Sequence, residues 1–242
     1  SRFSRFLAWS GRPPADEEAL EAIAVAAPLL ATLSGERVQK ELLRLLAASD
    51  PVPAASLMHR AGVLVLWLPE SPNASGLAPL LRIEQANGLA PDGLRRLAAM
   101  LETDPDVDAL AKRLKLSRAA HSRLASALAA EPRVVSLDAR SVRALVYRAG
   151  NVVAGDRLAL HAARAGIGPA HPALVGALRL AGAWTPPKFP LSGEDVLALG
   201  VAPGIDVGRL LGAVEEWWIA GDFAADEAAC RAELRRLREA GP

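Results

Sequence analysis

The chain has 242 residues, enough for one large or two small domains with a substantial core. Its 28 Lys and Arg stand against 27 Asp and Glu, a net charge of +1, so any surface for a polyanion must come from local clustering of cations. The one cysteine, Cys230, excludes an internal disulfide framework and a cysteine-built zinc site, and the longest apolar run, 62–69, falls far short of the ~20 residues that span a bilayer.

The hydrophobic 51% is mostly Ala, Leu and Val with only 4% aromatic residues, a mixture that favours helices. The expectation is an all-α, multi-helix array. The opening string SRFSRFLAWSGR has no apolar core of signal-peptide type and no initiator Met. It reads as the start of a fragment or processed chain of a soluble, cytoplasmic protein.

In chain order, Arg2 and Arg5 lie one turn apart on an opening helix. Asp16 is a candidate N-cap for a helix with Leu20, Ile23 and Ala27 on one face, broken near Pro28. Ser34 is a stronger cap: Leu33 and Val38 can form a hydrophobic staple, and Val38, Leu42, Leu45 and Leu46 make a buried stripe. Arg37 and Glu41 are spaced i,i+4 on that helix. A turn at 49–53 leads to a short helix that stops at Gly62. The run Val63 to Leu68 fits a strand or a buried helix end equally well.

Further helices are expected at about 75–87, 92–102, 106–115, 117–130, 138–149, 152–165 and 170–182, with breaks at Asn87-Gly88, Asp104-Pro105, Pro132, Gly150 and Gly166/Gly168. From Trp184 the texture turns Pro-rich and extended. Ser192 and Asp195 are spaced as a capping box, Gly200 ends that short helix, and a longer one carries Val207, Leu210, Leu211, Val214 and Trp217/Trp218. A charged last helix covers about 226–239. The segments group as 1–70, a helical body at 71–183, and a small helical tail subdomain at 184–242.

Two kinds of chemistry can be sought in this pattern. The run Asp104-Pro105-Asp106-Val107-Asp108 has the spacing of metal-binding carboxylates, but it lies between helices with no strand or Gly-Ser loop beside it, so it reads as a helix N-cap cluster. The four histidines are scattered, and no metal site is expected. Basic clusters occur at Arg95/Arg96, at Lys112, Arg113, Lys115 and Arg118, at Arg140/Arg143/Arg148, and at Arg231/Arg235/Arg236/Arg238. The second is the preferred RNA-binding candidate because no acid lies within it; the last is interleaved with Glu233 and Glu239 and reads as soluble surface. Trp217 and Trp218 continue an apolar stripe and read as core.

Three segments resemble one family. Arg2, Phe3, Arg5, Phe6 and Ala8 are similar to the neck-helix string of bacterial class II tRNA nucleotidyltransferases and poly(A) polymerases, with Ser4 and Leu7 departing from it. Residues 16–68, above all Leu33-Ser34-Gly35-Glu36-Arg37-Val38, resemble that family's RNA-binding domain. The tail string Phe189-Pro190-Leu191-Ser192-Gly193-Glu194-Asp195, with Leu199-Gly200-Val201 and Pro203-Gly204, resembles its C-terminal element, Ile205 replacing a usual Pro.

The resemblance implies a neck, body and tail that position a tRNA 3′ end for CMP and AMP addition by a catalytic head carried elsewhere, in the same parent chain or a separate one. It implies that the head uses CTP, ATP and Mg2+, that this chain alone binds no cofactor and is inactive, and that neither DNA nor membrane is a partner. Arg2 and Arg5 would then face the nucleotide or RNA end, or simply pack by their aliphatic stems, and Arg37 and Glu41 would brace the neck. Polyadenylation, or a helical scaffold without an RNA role, are the alternatives.

Overall fold

The computed structural model describes residues 33–69, 74–101, 105–129 and 136–240. Arg2, Arg5 and the helix expected after Asp16 lie outside them. Within the described residues there are twelve helices and no strand. In chain order these are α1 (Gly35–Leu46), α2 (Val52–Arg60), α3 (Val63–Trp67), α4 (Leu77–Ala86), α5 (Gly93–Met100), α6 (Val107–Leu114), α7 (Arg118–Leu128), α8 (Ala139–Arg164), α9 (Pro172–Ala183), α10 (Gly193–Leu197), α11 (Ile205–Ala220) and α12 (Glu227–Ala240). The all-α array expected from composition is what forms.

Local chemistry explains where most helices start. Ser34 accepts the Arg37 amide, Asp92 the Leu94 and Arg95 amides, Asp106 the Ala109 amide, Ser117 the Ala120 amide and Asp138 the Ser141 amide. Each satisfies a donor that the first helical turn leaves without an intrahelical acceptor. Ser192 and Asp195 form the anticipated capping box at α10. The ambiguous run after Gly62 is the short helix α3, entered through Gly62 at φ 68°. Gly150, expected as a break, takes φ 80° and ψ 160° and divides α8 into two arms.

Two apolar cores result. The larger runs from α1 to α9 and contains Leu46, Leu77, Leu80, Leu97, Leu110, Leu158 and Leu174, all at or near zero exposure. The smaller joins α10, α11 and α12 through Val196, Leu210, Val214, Trp218, Cys230 and Leu234. It is not built from the tail alone: Ala144 and Tyr147, on the first arm of α8, pack into it. Tyr147, Trp218 and Phe223 meet one another at centroid separations of 5.0–5.7 Å, and Trp218 meets Tyr147 and Phe223 edge to face. Of the tryptophan pair read as core, only Trp218 is buried; Trp217, one residue round the helix, is 39% exposed.

Three glycines at helix starts fix how the body closes. A Cβ on Gly35 would lie 2.1 Å from the Arg113 carbonyl oxygen, one on Gly93 2.4 Å from that of Leu43, and one on Gly76 1.9 Å from that of Ala99. In each case the start of one helix sits on the last turn of another: α1 on α6, α5 on α1, and α4 on α5. The positive end of one helix dipole thus meets carbonyls at the negative end of the next, an approach that only glycine permits.

Behind these joints lies a buried, charge-balanced network. Glu84 of α4, 1% exposed, accepts from Arg95 Nε at 2.8 Å and Arg96 Nε at 2.8 Å. Asp156 of α8 accepts from Arg123 Nε of α7 at 2.8 Å, and Asp92 from Arg123 Nη2 at 2.8 Å. Arg96 Nη1 also reaches the Leu46 and Ala48 carbonyls at the end of α1. Five helices therefore share one polar hub, in which each charge has a partner.

A cationic tip between α6 and α7

The Asp106-Val107-Asp108 stretch shows how the candidate interface is built. Asp106 caps α6, and Asp108 accepts a 2.7 Å bond from His121 Nε2 on α7. Both carboxylates serve the α6–α7 hairpin, as the N-cap reading expected; Asp104 lies outside the described residues. One turn beyond Asp108, α6 ends in Lys112, Arg113 and Lys115, and α7 opens with Arg118 behind its Ser117 cap.

Lys112, Lys115 and Arg118 are exposed, and no hydrogen bond or ion pair engages their charged groups. Arg113 differs. It is half-buried and donates from Nη1 to the Trp67 carbonyl at 3.2 Å, tying α6 to α3 rather than facing solvent. The four-residue cluster of the sequence is therefore a tip of three free cations with one inward anchor. The start of α1 docks against it, since Gly35 lies beside both Arg113 and the Lys115 side chain.

Most cations of the other basic clusters are paired within the chain, while Arg235 and Arg238 of the last one are exposed. Arg95 and Arg96 are 9% and 3% exposed and belong to the polar hub, so neither can meet a ligand. Sequence reading could not place them because their partner Glu84 lies on another helix. Arg143 pairs with Asp222, which holds that carboxyl below its ordinary value, and Arg148 pairs with Glu216; Arg140 remains exposed. Arg231 binds Asp195 and Glu227, and Arg236 binds Glu233, in keeping with the soluble-surface reading of the last helix.

Arg37 and Glu41 do not form the expected i,i+4 ion pair. Arg37 is exposed in the first turn of α1, while Glu41 turns Oε2 inward to a buried position without a hydrogen-bond partner. The cleft between α1, α2 and α3 is lined by Val38, Leu42, Met58, Val63, Trp67 and other apolar side chains, and offers nothing to a triphosphate. Among the described residues no helix is long and apolar enough to cross a membrane.

A family model described as a probable RNA- and SrmB-binding site of polymerase A matches residues 15–74, the segment that contains α1 to α3. Over 204 residues the chain is 28% identical to CCA tRNA nucleotidyltransferase 1, mitochondrial, of Mus musculus. Both matches make the chain similar to the RNA-binding part of this nucleotidyltransferase family. The alignment covers 84% of this chain and 46% of the mouse protein, so the chain spans about half the length of the curated relative it matches. Within the matched segment, α1 supplies the glycine start on which the cationic tip rests. The tip itself lies beyond residue 74, outside the matched segment, on helices whose Leu110, Leu114 and Leu124 belong to the same apolar core as α1 to α3.

Proposed function

We propose that this chain positions a tRNA for a nucleotidyltransferase that adds CMP and AMP to its 3′ end, the transfer chemistry belonging to a separate catalytic head. The observation that carries the reading is the tip of Lys112, Lys115 and Arg118: three exposed cations with no carboxylate partner, on a rigid helical hairpin. Helix-borne cations of this kind neutralise phosphates without reading bases, which is what holding the acceptor and T arms of many tRNAs requires. The likeness to the mouse enzyme supports the choice of tRNA.

In this reading Mg2+, CTP and ATP are held by the head. The carboxylates near the tip are committed to a cap and to the His121 Nε2 contact, so they do not suit a two-metal site, and no transfer step is derived from them. Arg2 and Arg5 would lie toward the nucleotide and the RNA end, and Arg37 and Glu41 would brace the neck.

The test is binding of a tRNA transcript to this chain at rising salt, followed by fluorescence anisotropy. Each phosphate contact steepens the log–log salt slope by about 0.7–0.9. Replacing Lys112, Lys115 and Arg118 with Ala together should flatten the slope by about 2–3. An unchanged slope in the triple variant defeats the tip as the RNA surface, and absence of salt-dependent binding by the wild-type chain favours a scaffold that does not handle RNA.

A further inference from the structure

Four helices end in the same turn. After α4, α6, α8 and α11 the amide of a large apolar residue bonds five residues back: Leu89 to Glu84, Leu116 to Ala111, Ile167 to Ala162 and Phe223 to Trp218, at 2.9–3.0 Å. This turn forces the residue before the apolar one into the left-handed region, where glycine is the unstrained choice. Two of the four positions are Gly88 and Gly166, at φ 64° and 68°. The other two are Lys115 at φ 53° and Asp222 at φ 58°.

Asp222 has an internal reason to be there. Its short side chain tolerates the left-handed region, and its carboxylate is clamped by Arg143, which joins α8 to the end of α11. Phe223 beside it, also at positive φ, packs against Trp218 and Tyr147. Lys115 has no such reason. Its side chain is exposed, and no hydrogen bond or ion pair engages its ammonium. The favourable effect of a cation at a helix C-terminus is already supplied to α6 by Lys112 and Arg113. Glycine would make the same turn at less conformational cost, as it does at 88 and 166.

From this geometry we infer that Lys115 is kept in a strained backbone position because its ammonium, at the centre of the tip, grips a phosphodiester of the bound RNA. The inference rests on the RNA-positioning reading above and sharpens it to one residue. Its neighbours fit the role: Lys112 and Arg118 flank it on the two helices, and the start of α1 sits against its aliphatic stem at Gly35, limiting where the ammonium can go. The stem is held from one side and the charge is free on the other.

The experiment compares the full chain with Lys115→Gly and Lys115→Arg, measuring melting temperature and affinity for a tRNA transcript across a salt series. Lys115→Gly removes charge and strain together. It should raise the melting temperature by about 2–4 °C or more, weaken tRNA binding severalfold at low salt, and lower the log–log salt slope by about 1. Lys115→Arg keeps the charge and the strained backbone, and should leave both readings near the wild-type values. Undiminished binding and an unchanged slope in Lys115→Gly would overturn the inference while leaving RNA positioning intact. No stabilisation in that variant would overturn the claim of strain. Absence of salt-dependent tRNA binding by the wild-type chain would remove both this inference and the reading beneath it.

Discussion

Gly35→Ala and Gly176→Ala are the same chemical change and should move stability in opposite directions. At Gly176, in α9, an added Cβ meets nothing within 4 Å, so alanine stabilises the helix by about 0.5–1 kcal/mol through lower backbone entropy in the unfolded chain. At Gly35 the new carbon would stand 2.1 Å from the Arg113 carbonyl oxygen, 1.3 Å short of the 3.4 Å at which ordinary contact begins, and 3.2 Å from the Arg113 carbonyl carbon and from Lys115 Cγ. Because the first obstacle is backbone, relief requires α1 and α6 to separate rather than a rotamer to turn. Overpacking of this kind costs about 1–3 kcal/mol, and the helix-propensity gain of at most ~1 kcal/mol offsets only part of it. With about 2–4 °C of melting temperature per kcal/mol in a chain of this size, Gly176→Ala should melt a few degrees above wild type and Gly35→Ala several degrees below it. Thermal melts followed by far-ultraviolet circular dichroism read both. A Gly35→Ala variant as stable as Gly176→Ala would mean that the α1–α6 joint is not closed by backbone contact.

Two further outcomes follow from the polar groups. Glu84→Gln removes the carboxylate shared by Arg95 and Arg96 while both stay buried, so it should cost about 3–5 kcal/mol in urea unfolding; a loss under 1 kcal/mol would show that the hub is solvated. Asp92 and Asp222 should make the chain sensitive to acid. Burial opposes ionisation of Asp92, but the Arg95 amide and the Arg123 guanidinium outweigh it and hold the carboxyl below its ordinary value; Asp222 is held low chiefly by the Arg143 guanidinium. A depressed folded value contributes stability above the unfolded value of about 3.9 and loses it as pH falls further through the folded value. Melting temperature should therefore drop below about pH 4, and Asp222→Asn, less stable at neutral pH, should show a smaller drop; an identical pH profile would refute the assignment.

What the sequence made legible was local chemistry. Ser34, Asp106 and the Ser192–Asp195 pair announce helix starts because a cap needs only residues two or three positions away. Gly150 announces a break for the same reason. Arg95 and Arg96 were legible only as one of four basic clusters; Glu84 neutralises them from α4, 11 and 12 residues away. Arg113 looked equivalent to Lys112 until α3 presented it with the Trp67 carbonyl. Lys115 was legible as a charge but not as a strained residue, since its left-handed turn shows only beside Gly88 and Gly166.

The first arm of α8 serves two masters. Val142 and Val146 face the larger core, while Ala144 and Tyr147 complete the smaller one and Arg143 clamps the turn after α11. A tail excised at residue 184 would leave Trp218 and Phe223 stripped of the Tyr147 ring and Asp222 without its guanidinium. The Pro-rich stretch where the composition changes is therefore no seam for an autonomous C-terminal fragment, and α8, whose Leu158 and Asp156 belong to the larger core and the polar hub, fastens the tail to the body.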